Sequence, residues 1–199
     1  VSAAGWLVAL EGVDGSGKTT QAQLLAEALE GRGLRVALTQ EPSPGPAGQR
    51  LRRYLAGPTR NLSPAVELAL FVADRREHVG RVIMPGLAAG QVVITDRYYY
   101  SSVAYQGALG LDPARILALN ETFAPRPDLV FILTLDPGLA VARLTRQRQV
   151  TEDRDYLKRV AAIYASLRGP HIHRVDADAA PETIHAGILE ITLKALERA

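Results

Sequence analysis

The chain has 199 residues, 47% apolar and 22% charged, enough to fill one α/β domain with a sizeable core. A net charge of +2 gives no bulk electrostatic reason to expect a nucleic-acid binder. The absence of cysteine excludes disulfides, thiolate metal sites and a cysteine nucleophile. No apolar run approaches a membrane span and no secretion-signal pattern is evident, so the expected location is the cytoplasm and no membrane partner is expected. The basic residues are lopsided, 20 Arg against 3 Lys; Arg gives planar, bidentate phosphate contacts that Lys cannot, although genome composition or heat adaptation also produces such a bias.

Leu7 to Leu10 reads as the first buried strand. Directly after it comes Gly12-Val13-Asp14-Gly15-Ser16-Gly17-Lys18-Thr19, the pattern G-x-x-x-x-G-K-[ST] of a phosphate-binding P-loop. Its glycines let backbone N–H groups converge on phosphate oxygens, and Thr20 continues into a helix whose N-terminus is partly positive. Lys18 can reach β- and γ-phosphates, and Thr19 can ligate Mg²⁺. The helix runs from Lys18 to about Glu30 and stops at Gly31 and Gly33.

The second strand, Val36 to Thr39, leads to Glu41-Pro42, and a short helix covers about Ala47 to Ala56. Ser63-Pro64 opens a longer helix, expected to end near Met84 before Pro85-Gly86. The third strand, Val92 to Thr95, delivers Asp96-Arg97. Asp112-Pro113 and Asp136-Pro137 repeat the helix-start signal on either side of a fourth strand, Leu129 to Leu135. A helical pattern at 156–167, a fifth strand at Ile172 to Val175 and a last helix from Pro181 to Glu197 complete the chain. Alternation of this kind predicts an α/β fold of the P-loop NTPase type: three layers, a five-stranded parallel sheet with helices on both faces, in a single domain over 1–199. Ligands in such sheets bind at the C-terminal strand ends, where the P-loop, Glu41 and Asp96 should meet.

Three clusters point to a second, anionic, ring-bearing substrate. Glu41 at a strand end can hold a metal, a water or a sugar hydroxyl, and Arg52 on the next helix can hold a phosphate. Phe71 and Arg75, four residues apart, share a helix face on which one could stack on a base and the other bond its edge; a core Phe beside a surface Arg has the same spacing. Asp96 is placed for a Mg²⁺ shell, and Arg97 for the space between donor and acceptor phosphates. Ser102, Tyr105 and Gln106 follow at helical spacing and can read a base edge.

The stretch Leu-Glu-Gly-Val-Asp-Gly-Ser-Gly-Lys-Thr-Thr-Gln at 10–21, Glu41-Pro42, Phe71 with Asp74-Arg75, and Asp96-Arg97-Tyr98 with Ser101 and Ala104-Tyr105-Gln106-Gly107 together resemble the thymidylate kinase family. The likeness spans nearly the whole chain. It implies transfer of the γ-phosphate of ATP to dTMP with Mg²⁺, a step toward dTTP, in a homodimer. By that resemblance Phe71 stacks on thymine, Arg75 bonds its carbonyl edge, and Ser102, Tyr105 and Gln106 surround base and sugar. Asp14 would contact the 3′-hydroxyl, and Glu41, Arg52 and Arg97 would belong to the substrate site. Residues 143–153 would form a mobile lid, with Arg143 toward ATP and either Arg146 or Arg148 supplying the cation that the P-loop lacks between Gly12 and Gly17. Gln40, where many members carry Arg, and the short acidic–basic stretch Glu152-Asp153-Arg154 depart from the family pattern.

Other signals carry less. His171 and His173 alternate along one strand without a third ligand. A GTPase switch would need an Asn-Lys-x-Asp guanine reader, yet neither Asn61 nor Asn120 is followed by Lys; an ATPase motor would want Asp-Glu where this chain has Asp96-Arg97.

Overall fold

A computed structural model describes residues 5–57, 61–146 and 154–198. The five apolar runs form strands β1 (Trp6–Gly12), β2 (Val36–Gln40), β3 (Val92–Asp96), β4 (Leu129–Thr134) and β5 (Ile172–Asp176). They make one sheet in the order β2-β3-β1-β4-β5, parallel throughout. Parallel neighbours require crossovers, and the intervening amphipathic segments supply them. The helices are α1 (Lys18–Glu30), α2 (Pro46–Leu55), α3 (Pro64–His78), α4 (Met84–Ala88), α5 (Tyr99–Ala108), α6 (Pro113–Glu121), α7 (Pro137–Arg146), α8 (Arg154–Ser166) and α9 (Pro181–Leu196). This is the three-layer α/β architecture that the alternation of strands and helices predicts.

The helix boundaries have local causes. Ser63 Oγ accepts from Val66 N, Asp112 Oδ1 from Ala114 N at 2.9 Å, and Asp136 Oδ1 from Gly138 N at 2.8 Å. Each satisfies a first-turn donor that the helix cannot. After α1 the chain turns through Gly33 at φ +80°, with Leu34 N returning to Leu29 O. One expectation fails. The third helix does not end before Pro85-Gly86. It passes through a π-helical turn, Val79–Ile83, into α4, and Pro85 sits in the first turn of α4.

Both faces of the central strands are covered. Val8, Ala9, Leu10, Val93, Ile94, Val130 and Phe131 are fully buried, and Leu25 and Leu29 of α1 pack into the same core. The register then aligns the functional strand ends. Leu10 is opposite Asp96, and Gly12 is opposite Leu133. Arg97 N donates to Leu10 O at 2.9 Å, and Glu41 N donates to Asp96 O at 3.0 Å. The loops after β1, β2 and β3 therefore emerge side by side.

Phe131 lies mid-strand in β4 with no exposed surface. Phe131→Ala is expected to cost about 3–5 kcal/mol of stability, read as a lower urea midpoint with an unchanged slope. A loss under about 1 kcal/mol would show that the site collapses to fill the cavity.

Candidate active site

The loop after β1 wraps a phosphate-sized cradle. Gly12 adopts φ +139°, and a Cβ there would lie 2.5 Å from Leu133 O, so only glycine fits. Gly15 and Gly17 also have positive φ, at +79° and +90°. Lys18 is buried and its Nζ folds back to donate to Val13 O at 2.8 Å, placing the ammonium across the loop. Ser16 Oγ is buried and has no partner among the described residues.

Next to the cradle, Thr19 Oγ1 donates to Asp96 Oδ2 at 2.5 Å, while Asp96 Oδ1 is buried without a partner among the described residues. Among the described residues no group of three or more His, Asp or Glu could hold a metal by itself. A hydroxyl and one unpartnered carboxylate oxygen suit Mg²⁺, which takes few protein ligands and completes its shell with phosphate oxygens and waters.

Asp14 and Arg97 join the loop to the end of β3. Their carboxylate and guanidinium form an ion pair, and Tyr105 OH donates to Asp14 Oδ2 at 3.3 Å. Arg97 also donates to Ser101 Oγ at 3.1 Å and lies over the Tyr105 ring, 5.3 Å from its centroid. Its φ of +71° is a left-handed conformation for a non-glycine residue, a strain of about 1–3 kcal/mol that surrounding contacts must hold. Burial works against both charges. Even so, Arg97 and Lys18 hold the Asp14 carboxyl below its usual range, and Asp14 holds the Arg97 guanidinium well above its own.

These two residues form one end of a cavity of about 180 Å³, otherwise lined by Pro42, Leu55, Glu67, Phe71, Ser101, Tyr105, Gln106 and Tyr156. The Asp14–Arg97 pair puts a guanidinium in the lining; the remainder is largely aromatic and apolar, with the Glu67 carboxylate, the Ser101 hydroxyl and the Gln106 amide in its wall. Of the residues singled out from sequence, Asp14, Phe71, Arg97, Tyr105 and Gln106 meet here. Arg75, Ser102 and Glu41 do not line it. They form a sealed layer behind it, in which Arg75, 1% exposed, bonds Glu41 Oε2 at 2.9 and 2.6 Å, Ser102 Oγ at 3.2 Å and Asn120 Oδ1 at 2.7 Å. His78 bonds the other Glu41 oxygen. Arg75 donates to Glu41 through two nitrogens and burial opposes the charge, yet the Glu41 carboxyl is held below its usual range. Arg52 lines a second cavity of about 360 Å³ with Thr19, Gln23, Thr39, Gln40 and Asp96, and donates to Pro42 O.

Sequence reasoning assigned no role to Glu11, Glu67 or Tyr156. Glu11 is completely buried and accepts from Tyr98 N, Ser101 N, Ser101 Oγ and Tyr164 OH, at 2.6–3.2 Å. An acid inside a strand that otherwise reads as buried was the available signal. Arg143 donates to Ala177 O at 3.1 Å, in the loop after β5. Arg146 is the last residue of α7, and Arg148 and most of the 143–153 lid lie outside the described residues.

A parallel sheet whose first strand runs into a glycine cradle with a buried lysine and a Thr–Asp pair defines a P-loop nucleotide-binding protein. A cavity with the Asp14–Arg97 pair and an aromatic wall lies beside that cradle. The family model for thymidylate kinase matches residues 10–188, and the chain belongs to the thymidylate kinase family. It is similar to the thymidylate kinase of Xanthomonas campestris pv. campestris (strain B100), 47% identical over 183 residues that cover 90% of this chain and 79% of that protein. The thymidylate kinase of Xanthomonas oryzae pv. oryzae (strain PXO99A) is 45% identical over the same share of each chain. That of Brachyspira hyodysenteriae (strain ATCC 49526 / WA1) is 39% identical over 188 residues, 93% of this chain and 92% of that protein.

Burial lowers the Lys18 ammonium from 10.5 to about 8, and Arg97 adds repulsion. Between those values the unfolded chain holds a proton that the nucleotide-free fold does not, so the fold gains stability as pH rises through that window. Lys18→Met removes this slope. The stability lead of the Met variant over the wild type, measured by urea unfolding without nucleotide, is expected to shrink from pH 8 to pH 10.5. A constant gap would mean that Lys18 is not desolvated.

Proposed function

We propose that this chain transfers the γ-phosphoryl group of ATP to dTMP, giving ADP and dTDP, by alignment and charge neutralisation without a general base. The first part is the reaction of its family. The second follows from chemistry: the acceptor is a phosphate oxygen, already largely deprotonated at neutral pH because its second pKa is about 6. The observation that carries the residue roles is the shared wall of Asp14 and Arg97 between the P-loop and the aromatic cavity.

In this reading the backbone of Gly12 through Thr20 holds the ATP phosphates, and Lys18 exchanges its bond to Val13 O for phosphate oxygens. Thr19 and Asp96 would hold Mg²⁺, which when bound neutralises phosphate charge. Arg97 is pre-set at the cavity end to meet the acceptor phosphate and the charge that develops in transfer. Asp14 fixes Arg97 and offers its second oxygen to a sugar hydroxyl. Phe71 and Tyr105 sandwich base and sugar. Arg75 and Glu41 support the base edge from behind through Ser102, so Arg75 acts as a support behind the wall first and a base contact only if it gives up a bond to Ser102. Arg52, from its neighbouring cavity, completes the phosphate side, and Arg143 with Arg146 or Arg148 closes over ATP. We extend the same reading to a homodimer and to a cytoplasmic location; no helix among the described residues is long and apolar enough to cross a membrane.

Two measurements test it. ADP release with Mg-ATP against dTMP, dUMP, dCMP, dGMP, dAMP and thymidine is expected to favour dTMP strongly; release indifferent to the acceptor would overturn the phosphotransferase reading. Arg97→Ala is expected to lower kcat by about 10²–10³-fold with a smaller change in the KM for ATP. An equal rise in both KM values at unchanged kcat would assign Arg97 to uniform binding instead.

A further inference from the structure

Glu67 is an acid in the first turn of α3, 5% exposed, in the wall of the cavity that the proposed function gives to the pyrimidine. Its Oε2 accepts from Tyr54 OH at 3.1 Å, and its Oε1 accepts from Gln106 Nε2 at 3.0 Å. With the Glu67 oxygen accepting, the Gln106 carboxamide meets it through its nitrogen. That fixes which way the amide points. Its other end, Gln106 Oε1, is buried and has no partner among the described residues, and Gln106 lines the cavity.

We propose that Glu67, held by Tyr54, is a specificity-determining positioning residue: it locks Gln106 so that the cavity presents a hydrogen-bond acceptor to the edge of the base. The inference rests on the reading of this cavity as the pyrimidine site. An acceptor there suits the N3–H of thymine or uracil. Cytosine carries a lone pair at N3, so its binding would leave two acceptors facing each other in a water-poor cavity, which is far costlier than a missing methyl contact. The lock therefore selects the hydrogen-bonding pattern of the ring, an N3–H donor against an N3 lone pair, and is silent on the thymine methyl group. Loss of the lock frees the amide to turn its nitrogen toward the cavity, and the selection relaxes.

The test uses the full chain with Mg-ATP, comparing kcat/KM for dTMP and dCMP in the wild type, Glu67→Gln and Tyr54→Phe. Glu67→Gln can both donate and accept, so it keeps the shape of the contact and removes its direction. The ratio of dTMP to dCMP is expected to fall by about tenfold or more, through the KM of the pyrimidine nucleotides, with the KM for ATP unchanged. Tyr54→Phe frees one carboxylate oxygen and should move the ratio the same way by less. It also serves if Glu67→Gln does not fold. A merely structural Glu67 would change thermal stability and all rates together but leave the ratio alone, and an unchanged ratio in the folded variants would overturn the lock. A wild type that turns over neither nucleotide would instead overturn the pyrimidine-site reading itself, before any variant is compared.

Discussion

The geometry of the site depends on one buried carboxylate. Glu11 lies at the end of β1 with no exposed surface and accepts hydrogen bonds from the first turn of α5 and from Tyr164 of α8. Burial pushes its carboxyl up, against the opposing pull of Ser101 and Arg97. Such a group is tolerated only when its oxygens are fully bonded. Here the bonds serve a purpose beyond their own satisfaction: they tie the strand that carries the P-loop to the helix that follows β3. Arg97, at its left-handed turn, is the residue between those two anchors. Ser101 Oγ completes the link by donating to Glu11 while accepting from Arg97.

From that tie the division of labour follows. In the proposed function the donor side is backbone and one lysine, since phosphate oxygens need converging N–H groups and a charge of adjustable position. The proposed acceptor side is built from rigid pairs. Asp14 meets Arg97, Glu41 meets Arg75, and Glu67 meets Gln106, each acid fixing a partner that faces the cavity or backs its wall. The two ion pairs among these add little net stability when buried, because desolvation offsets attraction. Their effect is to remove rotational freedom before a substrate arrives, so that less ordering remains for binding.

The second layer also explains why Arg75 is more confined than an exposed helical arginine. All five of its N–H donors have partners in Glu41, Ser102 and Asn120, and its Cζ lies 5.7 Å from the centroid of the Tyr98 ring. A guanidinium held so tightly is a fixed support behind the wall. In the proposed function the movable charge is Lys18, whose ammonium donates to one backbone carbonyl, Val13 O, a bond that a phosphate oxygen can replace.

The sequence by itself determined the sheet, the crossover helices and the phosphate cradle. Strand runs, capping residues and the glycine pattern act over a few neighbours, so local letters suffice to specify them. Asp14, Phe71, Arg97, Tyr105 and Gln106, singled out along the chain, line one cavity, because parallel strands deliver their C-terminal ends to a common edge. The sequence misjudged the end of the third helix, where a π-turn shifts the hydrogen-bond register around Pro85. What only the tertiary structure decided was which polar side chains face the cavity and which stand behind it. Glu41, Arg75 and Ser102 look like contact residues along the chain, yet they satisfy one another out of reach of solvent. Glu67 looks like an ordinary first-turn acid, yet it lines the wall. The distinction depends on partners 27 to 45 residues away, and a buried polar group takes its role from those partners, which no local pattern records.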